Sequence, residues 1–384
     1  MKKNISLLIV LYICVLIGGC ADSNTLSEYE AALIDMPLST LSVSESNVFA
    51  VDNYGKLWGW GQNKGNVFQT ETEEIRSPVE VLDSVKSVST GGRVVLVIRE
   101  DDSLWGWGSN HIGQLGQGKS VEVVDTPVKI MDDVAAVSAE ANFSVVLKKD
   151  GSLWVSGHNS FGVLGVGKPS NSYEFIKVME NVRSVRASHY NVVAIDRNNF
   201  LWAWGINQTY NVDRAIPGGI ITDDASQEFV DTPCKIANNV YSARFGQNCI
   251  YILKTNGSLI KWQSPKSQEI VLENVKYIDA RGRTIAAINI DNSLFCWGLL
   301  YTEQNAEGLC KFAENVTYVA VGDQFVSYID QQNDLYCGGL NYYGLVGNGE
   351  NTGPTGPPVP DGDYEKTEDD FVYPPIHVLS GIAY

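Results

Sequence analysis

The stretch "LWGWGSNHIGQLGQG", residues 104–118, sets two tryptophans among glycines and continues into Gly113, Gly116 and Gly118. Glycines in this arrangement either free backbone amides to surround a phosphate at the start of a helix or form a tight structural loop. A phosphate loop predicts one such stretch followed by a helix, whereas a structural loop predicts copies elsewhere. The choice therefore depends on the rest of the chain.

Copies of the stretch recur along the chain. Each has a leucine followed by aromatic or apolar residues, and the seven leucines are Leu57, Leu104, Leu153, Leu201, Leu259, Leu294 and Leu335. The steps between them run from 35 to 58 residues, a period typical of solenoids, propellers and arrays. The glycines recur in phase in two further copies, without a helical pattern behind them. This favours the structural loop over the phosphate loop.

Each copy contains the signals of a β-hairpin. An apolar run and a turn precede the leucine, as in "SVVLKKDGS" (144–152) and "IYILKTNGS" (250–258). A second apolar stretch follows the glycine loop, as in "DTPVKIMDDVAAVSA" (125–139). Four short strands per unit, with no helical periodicity between units, predict the blades of an all-β propeller.

The tryptophans of the chain indicate packing rather than chemistry. Residues two apart in a strand share a face, so paired tryptophans project together and a small residue between them permits close approach of the next sheet. A ligand site uses one or two aromatic residues at one place, but all nine tryptophans lie in the copies: Trp58, Trp60, Trp105, Trp107, Trp154, Trp202, Trp204, Trp262 and Trp297. We expect truncation of Trp107 to destabilise the fold without removing a chemical function.

The repeat region, about residues 39–384, resembles the regulator of chromosome condensation repeat, whose members form seven-bladed β-propellers. The resemblance is clearest in "WGSNHIGQLGQG" (107–118) and partial in "SGHNSFGVLGVG" (156–167) and "GGLNYYGLVGNG" (338–349). It implies a propeller of this type that binds protein partners through a loop face. The family often has a histidine before the second strand of a blade, and this chain departs from that pattern with Asn47, Val94, Phe143, Asn191, Cys249, Thr284 and Phe325.

The two ends of the repeat region complement each other. The first unit, "LSVSESNVFAVDNYGKLWGWG" (41–61), lacks an opening run of the "TPVKI" kind, and "PPIHVLSGIAY" (374–384) supplies such a run without a hairpin after it. We therefore expect a ring closed by N- and C-terminal strands paired in one blade, which removes open sheet edges.

Residues 1–19 have the pattern of an export signal. Lys2 and Lys3 precede "ISLLIVLYICVLI" (5–17), which is short for a permanent membrane span. The following "IGGC" (17–20) resembles the lipobox of bacterial lipoproteins, which implies that Cys20 carries the lipid; an ordinary cleaved signal with a chance cysteine is the alternative. We expect a signal peptide at 1–19, a membrane tether at 20–38 and the propeller at 39–384, in an exported lipoprotein on the bacterial cell envelope or surface.

The charge of the chain argues against nucleic acid as a partner. Removal of residues 1–19, which hold two lysines and no acidic residue, takes the net charge from −17 to −19. A nucleic-acid binder gains most of its affinity by neutralising phosphates, which this balance opposes. Five cysteines follow the lipid position without C-x-x-C spacing, so we expect small core residues rather than a zinc or redox site: Cys234, Cys249, Cys296, Cys310 and Cys337.

The residues give little support for catalysis. Four histidines are present, none with metal-ligand spacing, and the serines lack a nucleophile-elbow motif. We expect no catalytic residue, no cofactor and no metal site, with one alternative left open. The alternative is calcium binding by the acidic stretch 361–370, but the stretch lacks EF-hand spacing and a solvated loop is favoured.

Two insertions interrupt the repeat, and loops on a rigid scaffold are where binding usually occurs. They are 206–233 in the fourth unit and 351–375 in the seventh. Within or beside them we nominate ten residues for possible binding loops: Tyr210, Asp213, Arg214, Asp223, Asp224, Tyr342, Tyr343, Asp361, Asp363 and Glu365.

These observations predict a lipid-anchored, monomeric propeller that acts as a protein-binding or surface-interaction module. Its protein partner would contact a propeller loop face. The alternative is binding or processing of a surface polysaccharide, because the tyrosines of the loops could stack on sugar rings. These are Tyr173, Tyr210, Tyr342 and Tyr343.

Overall fold

The computed structural model describes residues 39–208, 219–224, 226–298, 309–349 and 371–383. They form seven four-stranded antiparallel sheets, each built from consecutive strands. The first strands of all seven sheets line one central channel, so the sheets are the blades of a propeller. The predicted seven-bladed, all-β fold is confirmed.

The blades follow one another along the chain without exchange of strands. A short 3-10 turn, Tyr342–Gly344, follows the third strand of blade 7. The strands are, in blade 1, β1 Leu41–Val43, β2 Asn47–Val51, β3 Leu57–Gln62 and β4 Glu74–Leu82; in blade 2, β5 Val85–Thr90, β6 Val94–Arg99, β7 Leu104–Ser109 and β8 Val123–Met131; in blade 3, β9 Val134–Ala139, β10 Phe143–Lys148, β11 Leu153–Gly157 and β12 Ser172–Met179; in blade 4, β13 Val182–Ser188, β14 Asn191–Asp196, β15 Leu201–Ile206 and β16 Phe229–Ala237; in blade 5, β17 Val240–Phe245, β18 Ile250–Lys254, β19 Leu259–Ser264 and β20 Ser267–Leu272; in blade 6, β21 Val275–Arg281, β22 Thr284–Asn289, β23 Leu294–Trp297 and β24 Cys310–Ala313; in blade 7, β25 Val316–Gly322, β26 Phe325–Asp330, β27 Asp334–Leu340 and β28 Phe371–Ser380.

The second tryptophan of each pair fastens one blade to the next. Trp60, Trp107 and Trp204 are fully buried. Each indole N–H donates to a carbonyl in the loop of the preceding blade, as Trp107 Nε1 does to the Val67 oxygen at 2.8 Å. Burial of an aromatic ring together with a satisfied indole N–H explains the repeated tryptophan as a packing device.

The first tryptophan of each pair has a different environment. Trp105 is only half-buried, and its indole N–H donates to Ser103 Oγ at 2.8 Å. The small residue between the pair is required by close packing, because a Cβ at Gly106 would lie 2.7 Å from a Leu96 methyl carbon. The two tryptophans of the pair therefore differ in burial, and the small residue makes room for side chains of its own blade, Leu96, Leu115 and Ile130, rather than for the next sheet as predicted.

The glycine loop of the opening stretch joins two strands, β7 and β8, and no helix follows it. Gly113 and Gly116 have φ of 85° and 65°, a region that L-residues rarely adopt. Asn110 Oδ1 accepts a hydrogen bond from the Leu115 N–H at 2.9 Å and so holds the loop closed. The loop is a structural connection, as the repetition of its glycines predicts.

The terminal segments meet, but they do not share a blade. β28 completes blade 7 after β27, and blade 1 has its own outer strand, β4. The "TPVKI" run is the last strand of a blade and not the first, so blade 1 lacks nothing. Closure instead comes from residues 381–383, whose contacts with blade 1 include a bridge between Asp52 and Ile382 and a 2.8 Å hydrogen bond from the Ala383 N–H to the Val51 carbonyl.

All five cysteines after position 20 have free thiols. Cys249, Cys296 and Cys337 are buried core residues, as expected, and burial raises the pKa of Cys249 to about 11. Cys234 and Cys310 are half-buried, so the expectation of a core position is wrong for these two.

Candidate functional site

The two ends of the propeller differ in the length of their connections. Because neighbouring strands are antiparallel, the connections after the first and third strands of each blade lie at one end, and those after the second and fourth strands lie at the other. The connections after third strands include 110–122, 158–171, 207–228 and 341–370. We call this end the long-loop face. The other end, the short-turn face, has turns of two to five residues.

The two insertions predicted to carry binding residues fall in the β15–β16 and β27–β28 connections and run into β16 and β28, and the described ends of both connections lie at the long-loop face. Asp223 and Asp224 lie in the β15–β16 connection of blade 4, whereas Tyr342 and Tyr343 lie in the 3-10 turn of blade 7. The structure thus places these residues on one face without bringing them into one cluster. The other nominated residues lie outside the described residues: Tyr210, Asp213, Arg214, Asp361, Asp363 and Glu365.

The contacts of the two aspartates explain them as local structure. Asp223 Oδ2 lies 3.1 Å from Lys266 Nζ of the next blade. Asp224 accepts hydrogen bonds from the hydroxyl and the N–H of Ser226, at 2.6 and 2.9 Å, and these bonds lower its pKa. These contacts are all within the protein, so they give no indication that either carboxylate binds a ligand.

Asn207 organises the blade 4 connection. Its buried Oδ1 accepts hydrogen bonds from the N–H groups of Ile221 and Thr222, at 2.8 and 3.0 Å, and its Nδ2 donates to the carbonyls of Asp224 and Gln227. Asn110 performs the same task in blade 2. The inserted connection therefore keeps the anchor of the regular loop.

An aromatic group that the sequence did not reveal lies beside the channel mouth at this face. We call His158, Phe161, His189 and Tyr190 the aromatic patch. The ring centroids of Phe161 and Tyr190 are 4.8 Å apart. The imidazole centroid of His158 lies about 6 Å from that of Phe161, and the imidazole centroid of His189 lies about 6 Å from that of Tyr190. Tyr190 is 40% exposed although it is a large aromatic residue. The patch joins the long loop of blade 3 to the two-residue β13–β14 turn of blade 4.

Two ion pairs cross the channel mouth between distant blades. His189 Nε2 donates to Glu45 Oε1 at 2.5 Å, and Arg281 Nη2 donates to Glu140 Oε2 at 3.1 Å. The hydrogen bond with Glu45 raises the pKa of His189, and the same bond lowers the pKa of Glu45. In contrast, burial lowers the pKa of His158. One histidine of the patch is thus held more basic than usual and the other less basic.

The described part of the chain contains no group of three or more histidine, cysteine, aspartate or glutamate side chains able to hold a metal ion. Residues 361–370, the candidate calcium stretch, lie outside it. Among the described residues, no helix has the length and apolar character needed to span a bilayer. Tyr173, one of the tyrosines considered for sugar stacking, is half-buried, with Lys119 Nζ 5.7 Å from the centre of its ring.

Comparison with known proteins identifies the repeat. Residues 101–147 match the Regulator of chromosome condensation (RCC1) repeat. The chain is 34% identical over 98 residues to the ultraviolet-B receptor UVR8 of Arabidopsis thaliana, which is 24% of this chain and 22% of the receptor. It is 35% identical over 75 residues to human protein RCC2, which is 18% and 14% of the two chains. The matches thus span less than a quarter of the length of these curated relatives.

Solved structures are similar over nearly the whole chain. Yeast RCC1 (Prp20), in its complex with Kap60, has a TM-score of 0.67 and 16% sequence identity, with 95% of this chain and 89% of that chain covered. Prp20p of Saccharomyces cerevisiae, whose structure was described with its binding to Gsp1p and histones, has a TM-score of 0.61, 16% identity and coverage of 95% and 91%. At this level of identity the likeness establishes the fold.

Proposed function

We propose that this seven-bladed β-propeller, which carries an RCC1 repeat, acts as a protein-binding module through its long-loop face. The aromatic patch carries this proposal. Interface cores are enriched in aromatic residues, and the residues that dominate binding energy tend to be tyrosine, tryptophan and arginine on a rigid support. The Tyr190 ring is exposed and packs against Phe161, and both residues lie in connections of the rigid propeller.

The long loops around the patch suit the same role. They vary in length from blade to blade, whereas the strands beneath them repeat. Variable connections on a repeated scaffold are the usual place for partner recognition. Yeast RCC1 (Prp20), which has this fold, has been crystallised with a protein partner. We extend that use of the scaffold, and not the identity of the partner, to this chain.

We further propose that the propeller works outside the bacterial cytoplasm, as a monomer anchored by lipid on Cys20 through the tether 20–38. The sequence of residues 1–20 supports this location. Metabolic labelling with a palmitate analogue tests it. The wild-type chain should be labelled, and Cys20→Ser should not be; equal labelling of both would contradict the anchor.

Affinity capture tests the binding role. We would immobilise residues 21–384, without the lipid, expose them to the solubilised cell envelope and identify retained proteins by mass spectrometry. Tyr190→Ala removes the exposed ring of the aromatic patch. Tyr54→Ala is the matched control, because Tyr54 is 88% exposed in the β2–β3 turn of the short-turn face.

The proposal predicts one protein that is retained by the wild type and by Tyr54→Ala but lost with Tyr190→Ala. Retention that depends on Tyr54 instead would place binding on the wrong face. If a glycan array gave specific binding and capture gave no protein, the polysaccharide alternative would replace this proposal.

A further inference from the structure

The first strands of the blades contribute one equivalent residue each to a ring around the channel. Hydrogen bonds between blades define the equivalence, because the side chain at this position accepts from a backbone N–H of the next blade. Ser42 Oγ accepts from the Thr90 N–H at 3.0 Å, and Ser89 Oγ accepts from the Ala139 N–H at 2.9 Å. Ser138 and Asp279 do the same for the N–H groups of Ala187 and Val321, each at 2.9 Å. The seven ring residues are Ser42, Ser89, Ser138, Arg186, Arg244, Asp279 and Ala320.

Three members of this ring break the pattern, because Ala320 has no polar side chain and the neighbouring Arg186 and Arg244 carry guanidinium groups. The two arginines hold positions at which blades 1, 2, 3 and 6 offer an oxygen, and a guanidinium has donors only. The backbone N–H groups in the equivalent positions of the next blades belong to Phe245 and Ala280, and neither arginine can accept from them. These two positions therefore lack the acceptor that serine or aspartate supplies in blades 1, 2, 3 and 6.

The charges of the two arginines are incompletely balanced. Arg244 is 3% exposed, and its Nε donates to Asp279 Oδ1 at 3.0 Å. Its Nη1 donates to Ser242 Oγ and the Ala243 carbonyl at 2.9 Å, but its Nη2 has no hydrogen-bond partner within the described structure.

The positive charge of Arg186 has fewer partners than that of Arg244. Its Nη1 donates to the Val185 carbonyl at 3.1 Å, and it takes part in none of the ion pairs between described residues. Burial, and then repulsion by Arg244, lower the pKa of Arg186. Among the described residues, the Asp279 carboxylate pairs with Arg244, and no carboxylate forms an ion pair with Arg186. Arg244 is buried and Arg186 is half-buried, and positive charge held away from water without a partner is costly, so this arrangement favours an added anion.

A cavity of about 90 Å³ in the channel is lined by Arg186, Arg244, Tyr277 and Asp279, among others. This volume is several times what one water molecule needs. At the long-loop face the mouth is crossed by the Glu45–His189 and Glu140–Arg281 pairs. The space, the donors and the charge together suit a small ion with several acceptor oxygens.

We propose that the central channel binds a small oxyanion of the phosphate class, held by Arg186 and Arg244. The oxygens of the ion accept hydrogen bonds from both guanidinium groups and from the amides that lack a side-chain acceptor. Asp279 does not prevent this, because its oxygens already accept from Arg244 and from the Val321 N–H. Bound there, the ion joins blades 4, 5 and 6 at the channel.

Calorimetric titration of the purified full chain with inorganic phosphate, against sodium chloride of matched ionic strength, tests the proposal. We expect saturable binding of one phosphate per chain and a rise in melting temperature with phosphate concentration. Arg186→Ser restores the residue type of blades 1–3 and should weaken phosphate binding at least tenfold. Without phosphate it should melt no lower than the wild type, because it removes a repelled charge.

Arg283→Ser is the matched control. Arg283 lies in the β21–β22 turn, where its Nε donates to Gln247 Oε1 at 3.0 Å, so its removal should leave the phosphate affinity unchanged. Absence of saturable phosphate binding, or equal affinity in the wild type and Arg186→Ser, would overturn the proposal. So would a captured protein partner that needs Arg186 while phosphate has no effect, since the occupant would then be an acidic side chain of that partner.

Discussion

The short-turn face and the long-loop face are built from the same blades, yet they differ in what they tolerate. Each turn between blades at the short-turn face has two residues, and the second has φ between 53° and 62° in every case: Ser84, Asp133, Asn181, Asn239, Asn274 and Asn315. At the long-loop face the connections after third strands range from two residues to thirty. The short turns set the spacing of the blades, so the chain is free to vary only at the opposite end.

That freedom is limited, because the long loops also hold the blades together. The indole N–H groups of Trp60, Trp107 and Trp204 donate hydrogen bonds to carbonyls in these loops. The long-loop face therefore has an inner layer, the buried loop groups that hydrogen-bond to the blades, and an outer layer, the exposed side chains of the same loops. The inner layer stabilises the fold and the outer layer is free to vary. Variants of the inner layer should therefore change stability, whereas variants of the outer layer should change it little.

The largest effect is expected for Trp107→Ala. The fully buried ring and its bond to the Val67 carbonyl are lost, so the free energy of unfolding should fall by about 3–5 kcal/mol. Trp105→Ala, which removes a half-buried ring, should cost clearly less. Urea denaturation of both variants measures the difference. Equal losses would mean that the loop contact adds nothing to packing.

Closure of the ring is tested at its C-terminal end. Ile382 is fully buried beside Asp52, so Ile382→Ala should lower the free energy of unfolding by about 2–4 kcal/mol. Deletion of 374–384, which also removes most of β28, should lower the melting temperature further. A deletion that kept the wild-type melting temperature would show that the terminus does not close the ring.

The two layers of one long loop are separated by a pair of variants in blade 4. Asn207→Ala removes the buried acceptor of two backbone N–H groups and should cost about 1–3 kcal/mol. Asp223→Ala removes an exposed ion pair and should change stability by less than about 1 kcal/mol. Thermal melts check both values. If Asp223→Ala lost more stability than Asn207→Ala, the outer layer would have to contribute to the fold.

The smallest effect is a pH dependence from the pair at the channel mouth. The pKa of His189 is raised above 6.5, so its contribution is complete below that pH and is lost as the pH rises through the raised pKa. The pKa of Glu45 is lowered below 4.5, so its contribution is present above that pH and is lost as the pH falls through the lowered pKa. The pair thus stabilises most between about pH 4.5 and 6.5.

Both side chains of this pair are partly exposed, which limits the effect to less than about 1 kcal/mol. Glu45→Gln should lower the melting temperature more at pH 5.5 than at pH 8.5. The same decrease at both pH values would show that the ion pair contributes nothing.

The sequence predicts the repeated parts of the molecule and misses the parts formed by distant residues. The tryptophans, the loop glycines and the hairpins recur at similar spacing, so one copy explains the others. The aromatic patch has no such pattern, because Phe161 and Tyr190 come from different blades. The Glu140–Arg281 pair likewise joins residues 141 positions apart, and only closure of the ring brings them together. The error about the termini came from assigning the "TPVKI" run to the start of a blade.

Hydrogen–deuterium exchange of the propeller, with and without its captured partner, tests most directly whether the long-loop face is the binding face. We predict slower exchange on binding in residues 158–171 and in the β13–β14 turn at His189 and Tyr190, with the short turns unchanged. Protection confined to 52–56, 100–103 and the other turns of the short-turn face would contradict the account.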